Sequence, residues 1–267
     1  MWEILQYEFM RNALTAGILA SIACGVVGAI IVVKKMTMIS GGISHAAFGG
    51  IGLGYLLRFD PIFGALIFTM ASALSMGIIR ERTRLSEDSM IGILWVTGMS
   101  LGVIFIGLSP GYAPDLFGYL FGNILTVPFS DLMMIIILDA VILLVVFLFY
   151  EKFLAISFDE DFATAAGIPV EHVYLVLLSL VALTIIVLIR IVGVILVIAM
   201  LTIPATIAWR FSHKLKQIMV MSFLLSAIFT TEGLWLSYLF NLASGATIVL
   251  VSVATFLLSF ILKNLHS

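Results

Sequence analysis

Charged residues and cysteine are scarce in this chain of 267 residues. Only 10% of the residues are charged and 63% are hydrophobic, and there is a single cysteine. A soluble domain has about one quarter charged residues, so an ordinary soluble fold is excluded. One cysteine cannot form an internal disulfide, so cysteine usage does not indicate a redox compartment. A net charge of −2 gives no indication of nucleic-acid binding.

Motifs for ATP hydrolysis and for intramembrane proteolysis are missing from the sequence. It contains neither a G-x-x-x-x-G-K-[ST] phosphate loop nor an H-E-x-x-H zinc motif. Ser44 and His45 are neighbours in sequence, and adjacent residues on a helix do not face each other, so they are not a nucleophile and its base. The sequence therefore predicts a protein that is not itself an enzyme and has no energy source of its own.

Long apolar runs dominate the composition. Such unbroken runs indicate helices that cross a ~30 Å hydrocarbon layer, and a barrel would show roughly ten-residue alternating segments instead. The sequence predicts an all-α polytopic membrane protein that forms one transmembrane domain over residues 1–267. Nine candidate spans lie at approximately 12–33, 38–57, 61–79, 90–108, 131–150, 174–189, 192–208, 218–240 and 246–262.

The number of spans depends on residues 174–208, which form a nearly continuous apolar run. This run is too long for one ordinary span and barely long enough for two. Arg190 and Gly193 interrupt it, and we interpret residues 190–193 as a tight reversal, which gives nine spans. One span followed by a re-entrant segment would give eight.

The distribution of lysine and arginine predicts the orientation. If there are nine spans and the C-terminus is inside, ten of the thirteen basic residues lie on the inner side. Only Arg11, Arg58 and Arg190 then lie outside. Basic residues favour the cytoplasmic side, so we expect the N-terminus outside and the C-terminus inside.

One membrane run, residues 38–57, contains a histidine, His45, and six glycines but no charged residue. Gly41 and Gly49 lie one turn either side of His45, and we expect them to leave free volume beside the imidazole. An ionisable residue in a membrane segment is a candidate functional residue, and the alternative is a histidine that only hydrogen-bonds to a neighbouring helix. The small-xxx-small spacing that packs membrane helices closely occurs at Ala46, Gly50 and Gly54.

Two acids, Asp139 and Glu232, also interrupt apolar runs. A charged acid at the bilayer centre costs at least about 2.5–3.5 kcal/mol on insertion scales. Either acid could supply an oxygen ligand to an ion, with Glu232 the stronger candidate. The alternative for each is a protonated or hydrogen-bonded acid with a structural role.

The loop from residue 151 to residue 173 predicts a short helix at about 157–169. Ser157 and Glu160 have the spacing of a capping box, and Gly167 with Pro169 stops the helix. Phe162 would present an apolar side chain from this helix. It is either a simple interfacial connector or a helix that inserts into a groove on a partner protein.

The sequence resembles the permease subunit of bacterial ABC-type zinc, manganese and iron uptake systems over nearly its whole length. The resemblance rests on ISHAAFGGIGLGYLL (43–57), SFDEDFATAAGIPV (157–170), RIVGVILVIAMLTIPATIAWR (190–210) and GLWLSYLFNLASGATIVL (233–250). It implies a homodimer in the bacterial cytoplasmic membrane, separate cytoplasmic ATPase subunits and an extracytoplasmic metal-binding protein. It also implies that residues 157–169 couple to the ATPase, through Glu160, Phe162, Ala166 and Gly167.

The resemblance further implies that His45 is a metal ligand. The family often has Asp four residues before this histidine, where this chain has Gly41. Imidazole suits zinc, and oxygen ligands suit manganese, so the residues place zinc slightly ahead of manganese and iron as the transported ion. A proton-coupled secondary carrier that uses His45, Asp139 and Glu232 is the alternative, although matched broken helices in two inverted halves are not visible.

Overall fold

The computed structural model describes residues 6–83, 85–110, 122 and 124–264, and the described residues contain α-helices, a 3-10 turn and no β-strand. The prediction of an all-α fold is confirmed. Seven helical segments of the described residues are long and apolar enough to cross a membrane. The helices are α1 Glu8–Val33, α2 Thr37–Leu57, α3 Pro61–Arg82, α4 Glu87–Leu108, α5 Phe129–Phe158, α6 Glu160–Ala165, α7 Val170–Phe211, α8 Leu215–Phe240 and α9 Ser244–Asn264, with the 3-10 turn at Ile124–Thr126.

Contacts between helix ends define one end of the bundle. Lys34, just after α1, and Arg80, near the end of α3, both bind the carboxylate of Glu160 in α6. Arg80 also pairs with Glu87, the first residue of α4. We call this the inner end, because clustered basic residues favour the cytoplasmic side.

The opposite, outer end joins the start of α1, the end of α4 and the start of α5. The amide of Asn12 donates to the carbonyl oxygen of Val127 at 3.3 Å, just before α5. The hydroxyl of Ser109, just after α4, donates to the carbonyl oxygen of Tyr55 near the end of α2 at 3.1 Å. Helices α1 to α5 therefore alternate in direction across the bundle.

Helix α8 runs antiparallel to α1. Thr230 packs against Gly17, and Phe223 packs against Gly25. Since α1 ends at the inner end, Leu215 at the start of α8 lies there too. Only residues 212–214 separate it from α7, so α7 also ends at the inner end.

Helix α7 both begins and ends at the inner end, so the chain turns back within it. Near its start, the Tyr174 hydroxyl donates to Glu87 at 3.2 Å. Its backbone leaves the helical conformation at Gly193, where φ is 75° and ψ is 169°, a conformation that glycine adopts readily. The reversal expected at residues 190–193 is therefore present at this glycine. It divides α7 into a first arm, residues 170–192, and a second arm, residues 194–211.

Counted in this way, nine helical segments cross the described bundle. Helix α2 and the second arm are the two segments beyond the seven that length and apolarity alone identify. The glycines and serines of α2 lower its hydropathy, and the second arm is short, with its apolar helix at Val197–Phe211. The first described helix, α1, therefore starts at the outer end, and the last, α9, finishes at the inner end.

Small residues bring α2 into backbone contact with α3 and α4. A Cβ at Gly52 would lie 2.6 Å from the carbonyl oxygen of Gly102, and Gly98 leaves no room for a Cβ beside the Cα of Ala46. On the other side, Gly50 of α2 contacts the backbone of Gly64 in α3. The close packing predicted from the small-xxx-small spacing is confirmed, and it fixes which face of α2 meets α4.

Candidate functional site

Glu160 anchors the inner-face helix α6 to the bundle. One carboxylate oxygen accepts from Lys34 and the other accepts from the Arg80 guanidinium at 2.8 Å. Lys34 also donates to the carbonyl oxygen of Ile156 at 3.0 Å, and its side chain is only 6% exposed. Burial acts to raise the pKa of Glu160, but the hydrogen bonds and positive charges of Lys34 and Arg80 outweigh it, so the pKa lies below its ordinary value.

Arg80 extends these contacts to two further helices. Its Nε lies 3.2 Å from a carboxylate oxygen of Glu87 at the start of α4. The same oxygen accepts a hydrogen bond from Tyr174 in α7, and the Arg80 guanidinium lies 4.1 Å from the centre of the Tyr174 ring. We call Lys34, Arg80, Glu87 and Glu160 the inner ion network.

The cap of α6 differs from the capping box predicted at Ser157 and Glu160. The Asp159 carboxylate accepts from the backbone N–H of Phe162 at 2.9 Å, so Asp159 is the N-cap. Glu160 does not reach back to the helix start because Lys34 and Arg80 hold its carboxylate. The Ser157 hydroxyl is buried without a hydrogen-bond partner.

The remaining predicted coupling residues lie on the outside of α6. Phe162 is 68% exposed, and Ala166 and Gly167 are exposed at the end of the helix. Gly167 has φ +81°, which ends the helix. A cavity of about 520 Å³ opens beside the helix, lined in part by Asp161 and His172.

His45 lies in the interior of the bundle and is stacked on an aromatic ring that the sequence analysis did not single out. Its ring centre lies 4.0 Å from that of Trp95 in α4, with an angle of 12° between the ring planes. Its Nδ1 atom is buried and has no hydrogen-bond partner. The stack follows from the small-residue contact of Ala46 with Gly98, which brings α2 and α4 together one residue beyond His45.

The expected free volume beside His45 is absent. A Cβ at Gly41 would lie 2.8 Å from Cδ1 of Ile198 in the second arm of α7 and 3.7 Å from the Trp95 ring. A Cβ at Gly49 would lie 2.7 Å from the Phe68 ring. That expectation was wrong, because large side chains from neighbouring helices fill the space that glycine leaves.

Asp139 and Glu232 lie on α5 and α8, which are not among the helices that pack against α2. Asp139, in α5, is 3% exposed, and neither of its carboxylate oxygens has a hydrogen-bond partner. It interacts electrostatically with the buried Cys24 of α1. Glu232, in α8, is exposed on the surface of the chain. Within the described residues of one copy, no group of three or more His, Cys, Asp or Glu side chains could hold a metal ion.

These features define a class of protein: a polytopic helical membrane protein with ionisable groups in its interior and a short helix exposed at its inner face. The family model described as the ABC 3 transport family matches residues 6–263. The chain belongs to this family of ABC transporter membrane subunits, and the resemblance inferred from the sequence motifs is confirmed.

Related proteins match over nearly the full chain. An uncharacterized membrane protein of Synechocystis is 46% identical, over 97% of this chain and 92% of the relative. The manganese transport system membrane protein MntC of Listeria monocytogenes is 36% identical over the same shares of the two chains. The solved structure of PsaBC from Streptococcus pneumoniae in complex with Fab is similar with a TM-score of 0.87 and 36% identity, and the match covers 97% of this chain and 93% of that one.

Proposed function

We propose that this chain is the membrane subunit of an ATP-driven importer of divalent transition metal ions, with Mn²⁺ the preferred ion. The observation that carries the proposal is the match of the ABC 3 transport family to residues 6–263. A separate ATPase subunit binds the inner face, an extracytoplasmic protein delivers the ion, and two copies of this chain enclose the pathway in the lipid bilayer. The named manganese transport protein at 36% identity supports the class of ion.

The similarity to a named manganese transport protein changes the proposed ion from zinc to manganese. The expectation of zinc rested on the single membrane histidine, since imidazole suits zinc. Oxygen ligands suit manganese, and both further candidates, Asp139 and Glu232, supply carboxylate oxygens. Zinc and iron remain ions to compare with manganese in the same assay.

His45 is the proposed ligand within each copy. Its buried Nδ1 lacks a hydrogen-bond partner, which supports a role in binding an ion over one in packing alone. Glu232 is a second candidate, because an exposed acid in a membrane helix needs a water-filled or protein-covered surface, and a cavity between two copies would supply both. Asp139 is enclosed by its own chain and is the weakest candidate for contact with a moving ion.

The exposed face of α6 is the proposed docking surface for the ATPase. Phe162 projects from it as an apolar side chain that a groove on the partner could bury, and Ala166 with Gly167 permits close approach. Glu160 faces the bundle instead, so its proposed part in coupling is to hold α6 in place.

The proposal is tested by uptake of radiolabelled manganese into proteoliposomes that contain this chain, its ATPase and its binding protein. The expected result is uptake that requires ATP on the ATPase side and that excess unlabelled manganese inhibits more strongly than zinc. Uptake driven by a proton gradient without ATP would contradict the proposal and support the secondary carrier. A stronger effect of zinc would keep the importer but restore zinc as its ion.

A further inference from the structure

The inner ion network joins α6 to the helices that carry His45 and Trp95. Lys34 binds Glu160 and lies three residues before Thr37, the first residue of α2. Arg80 binds Glu160 and Glu87, and Glu87 is the first residue of α4. The single carboxylate of Glu160 is therefore tied to the junction between α1 and α2 and to the junction between α3 and α4.

His45 and Trp95 lie at equal distances along α2 and α4 from the inner ends of these helices. Each follows the first residue of its helix by eight positions, which is about 12 Å along an α-helix. Gly98 and Ala46 hold the two helices in close contact at the level of the stack. Helices α2 and α4 are thus positioned to move as one body when their inner ends are displaced.

The neighbouring second arm of α7 is separated from the network by the reversal at Gly193. A Cβ at Gly41 would lie 2.8 Å from Ile198 of this arm and 3.7 Å from the Trp95 ring that covers His45, so both side chains border the same position. A shift of α2 and α4 past this arm would move Ile198 relative to the stacked pair and change access to the imidazole.

We propose that the inner ion network transmits displacement of α6 to the His45–Trp95 pair, with Glu160 as the positioning residue that links ATP hydrolysis to ion access. This inference rests on the proposed function. It adds the residues that connect the ATPase docking surface to the ion site. The sequence analysis assigned no role to three of them, Lys34, Arg80 and Glu87.

The test compares Glu160→Gln with Glu151→Gln in the reconstituted importer. Glu160→Gln removes the charge that Lys34 and Arg80 share, whereas Glu151 is an exposed acid in α5 outside both the network and the docking surface on α6. Manganese uptake and ATP hydrolysis are measured on the same preparation. We expect Glu160→Gln to lower the number of ions moved per ATP by about tenfold, because it removes coupling free energy between the docking surface and the ion site. ATP hydrolysis itself should be largely retained.

The control variant and the wild type distinguish failure of this inference from failure of the proposed function. Glu151→Gln should keep the wild-type ratio of ions to ATP. An unchanged ratio in Glu160→Gln would overturn this inference, whereas wild-type complex that takes up no manganese with ATP would overturn the proposed function instead. Equal loss of transport and hydrolysis in Glu160→Gln would show a structural role only, and that outcome also counts against the inference.

A second variant and a spectroscopic signal keep the test independent of how well Glu160→Gln assembles. Glu87→Ala leaves the contacts between Glu160 and its two bases in place but removes the acceptor that links Arg80 to α4. In a chain whose only tryptophan is Trp95, after Trp2, Trp209 and Trp235 are replaced by Phe, trapping the ATP-bound ATPase should shift the Trp95 emission. The shift should be lost in Glu87→Ala, and a full shift in that variant would contradict the proposed route.

Discussion

The ionisable groups of the inner ion network are hydrogen-bonded, whereas His45 and Asp139 in the interior of the bundle have polar atoms without a partner. At the inner end, both oxygens of Glu160 accept hydrogen bonds from basic side chains, and the buried Lys34 has two acceptors. In the interior, the Nδ1 of His45 and both oxygens of Asp139 are buried without any hydrogen-bond partner. The chain therefore pairs the charges of the inner ion network and leaves these polar atoms of the interior unpaired.

Under the proposed function, this difference separates the ion pairs that hold α6 in place from the imidazole of His45, which is left without a partner for an ion to replace. An unpaired buried polar atom costs about 1–3 kcal/mol, so a native fold rarely keeps one without a reason. Groups that bind an ion transiently need vacant lone pairs, whereas groups that transmit force need fixed partners. The predictions below alter one region or the other, in order of expected effect.

The largest effect should follow from reversing the charge that the inner ion network shares. Glu160→Lys places a third positive charge against Lys34 and Arg80, and Lys34 is only 6% exposed. Loss of one partner of a buried ion pair destabilises by about 3–5 kcal/mol, so the melting temperature in detergent should fall sharply. Asp161→Lys on the same helix is the matched control and should melt close to the wild type. Equal melting of both variants would contradict the anchoring role of Glu160.

Removing the charge of Asp139 in the interior should leave stability unchanged or raise it, whereas Glu160→Lys lowers stability. Asp139→Asn keeps the size of the side chain and removes a charge that no hydrogen bond compensates within the chain. We expect stability in detergent to be unchanged or to rise by about 1 kcal/mol, since a buried charge without partners is unfavourable. A clear fall in the melting temperature would show that Asp139 is held by partners and would weaken the contrast between the two regions.

The effect expected at the ring that covers His45 is on uptake more than on stability. Trp95→Ala removes a stacked pair, and such pairs contribute about 0.5–1.5 kcal/mol beyond the area that they bury. The variant should lose modest stability and should change the concentration of manganese that gives half-maximal uptake. Trp95→Phe keeps an aromatic ring and should behave more like the wild type. If both variants have wild-type uptake curves, Trp95 does not control access to His45.

The smallest effect concerns pH. The pKa of Glu160 is lower in the folded chain than in the unfolded chain, so Glu160 contributes stability above its unfolded pKa, and that contribution is lost as pH falls through the folded pKa. Melting temperatures measured downward from neutral pH should therefore fall more in the wild type than in Glu160→Gln over the acidic range. Parallel curves for the two proteins would contradict the lowered pKa.

Sequence patterns predicted the parts of the fold that depend on local chemistry. Apolar runs predicted nine spans, and seven helical segments of the described residues are long and apolar enough to cross a membrane. The small residues Ala46 and Gly50 correctly indicated close helix contacts. Gly193 marked the reversal, because glycine is the residue that a positive φ favours. The family resemblance was also visible from short motifs in order along the chain.

Other parts required the packed structure. Lys34 and Glu160 are 126 positions apart, so no local pattern connects them. Trp95 reaches His45 because of how α2 and α4 are rotated about their contact, and the space at Gly41 is filled by Ile198 from α7. Asp159 caps α6 in place of Ser157, since the partners of Glu160 compete for the carboxylate that a capping box needs. The candidate His45 was visible from the sequence, but its surroundings were not.

The central claim is that the unpaired imidazole of His45 contacts the transported ion. The most direct measurement is ATP-dependent uptake of radiolabelled manganese by the reconstituted importer, with wild-type chain and His45→Ala compared at equal amounts of assembled complex. We predict that His45→Ala assembles and hydrolyses ATP but loses most of its manganese uptake. Wild-type uptake by His45→Ala would contradict the account and leave His45 as a packing residue.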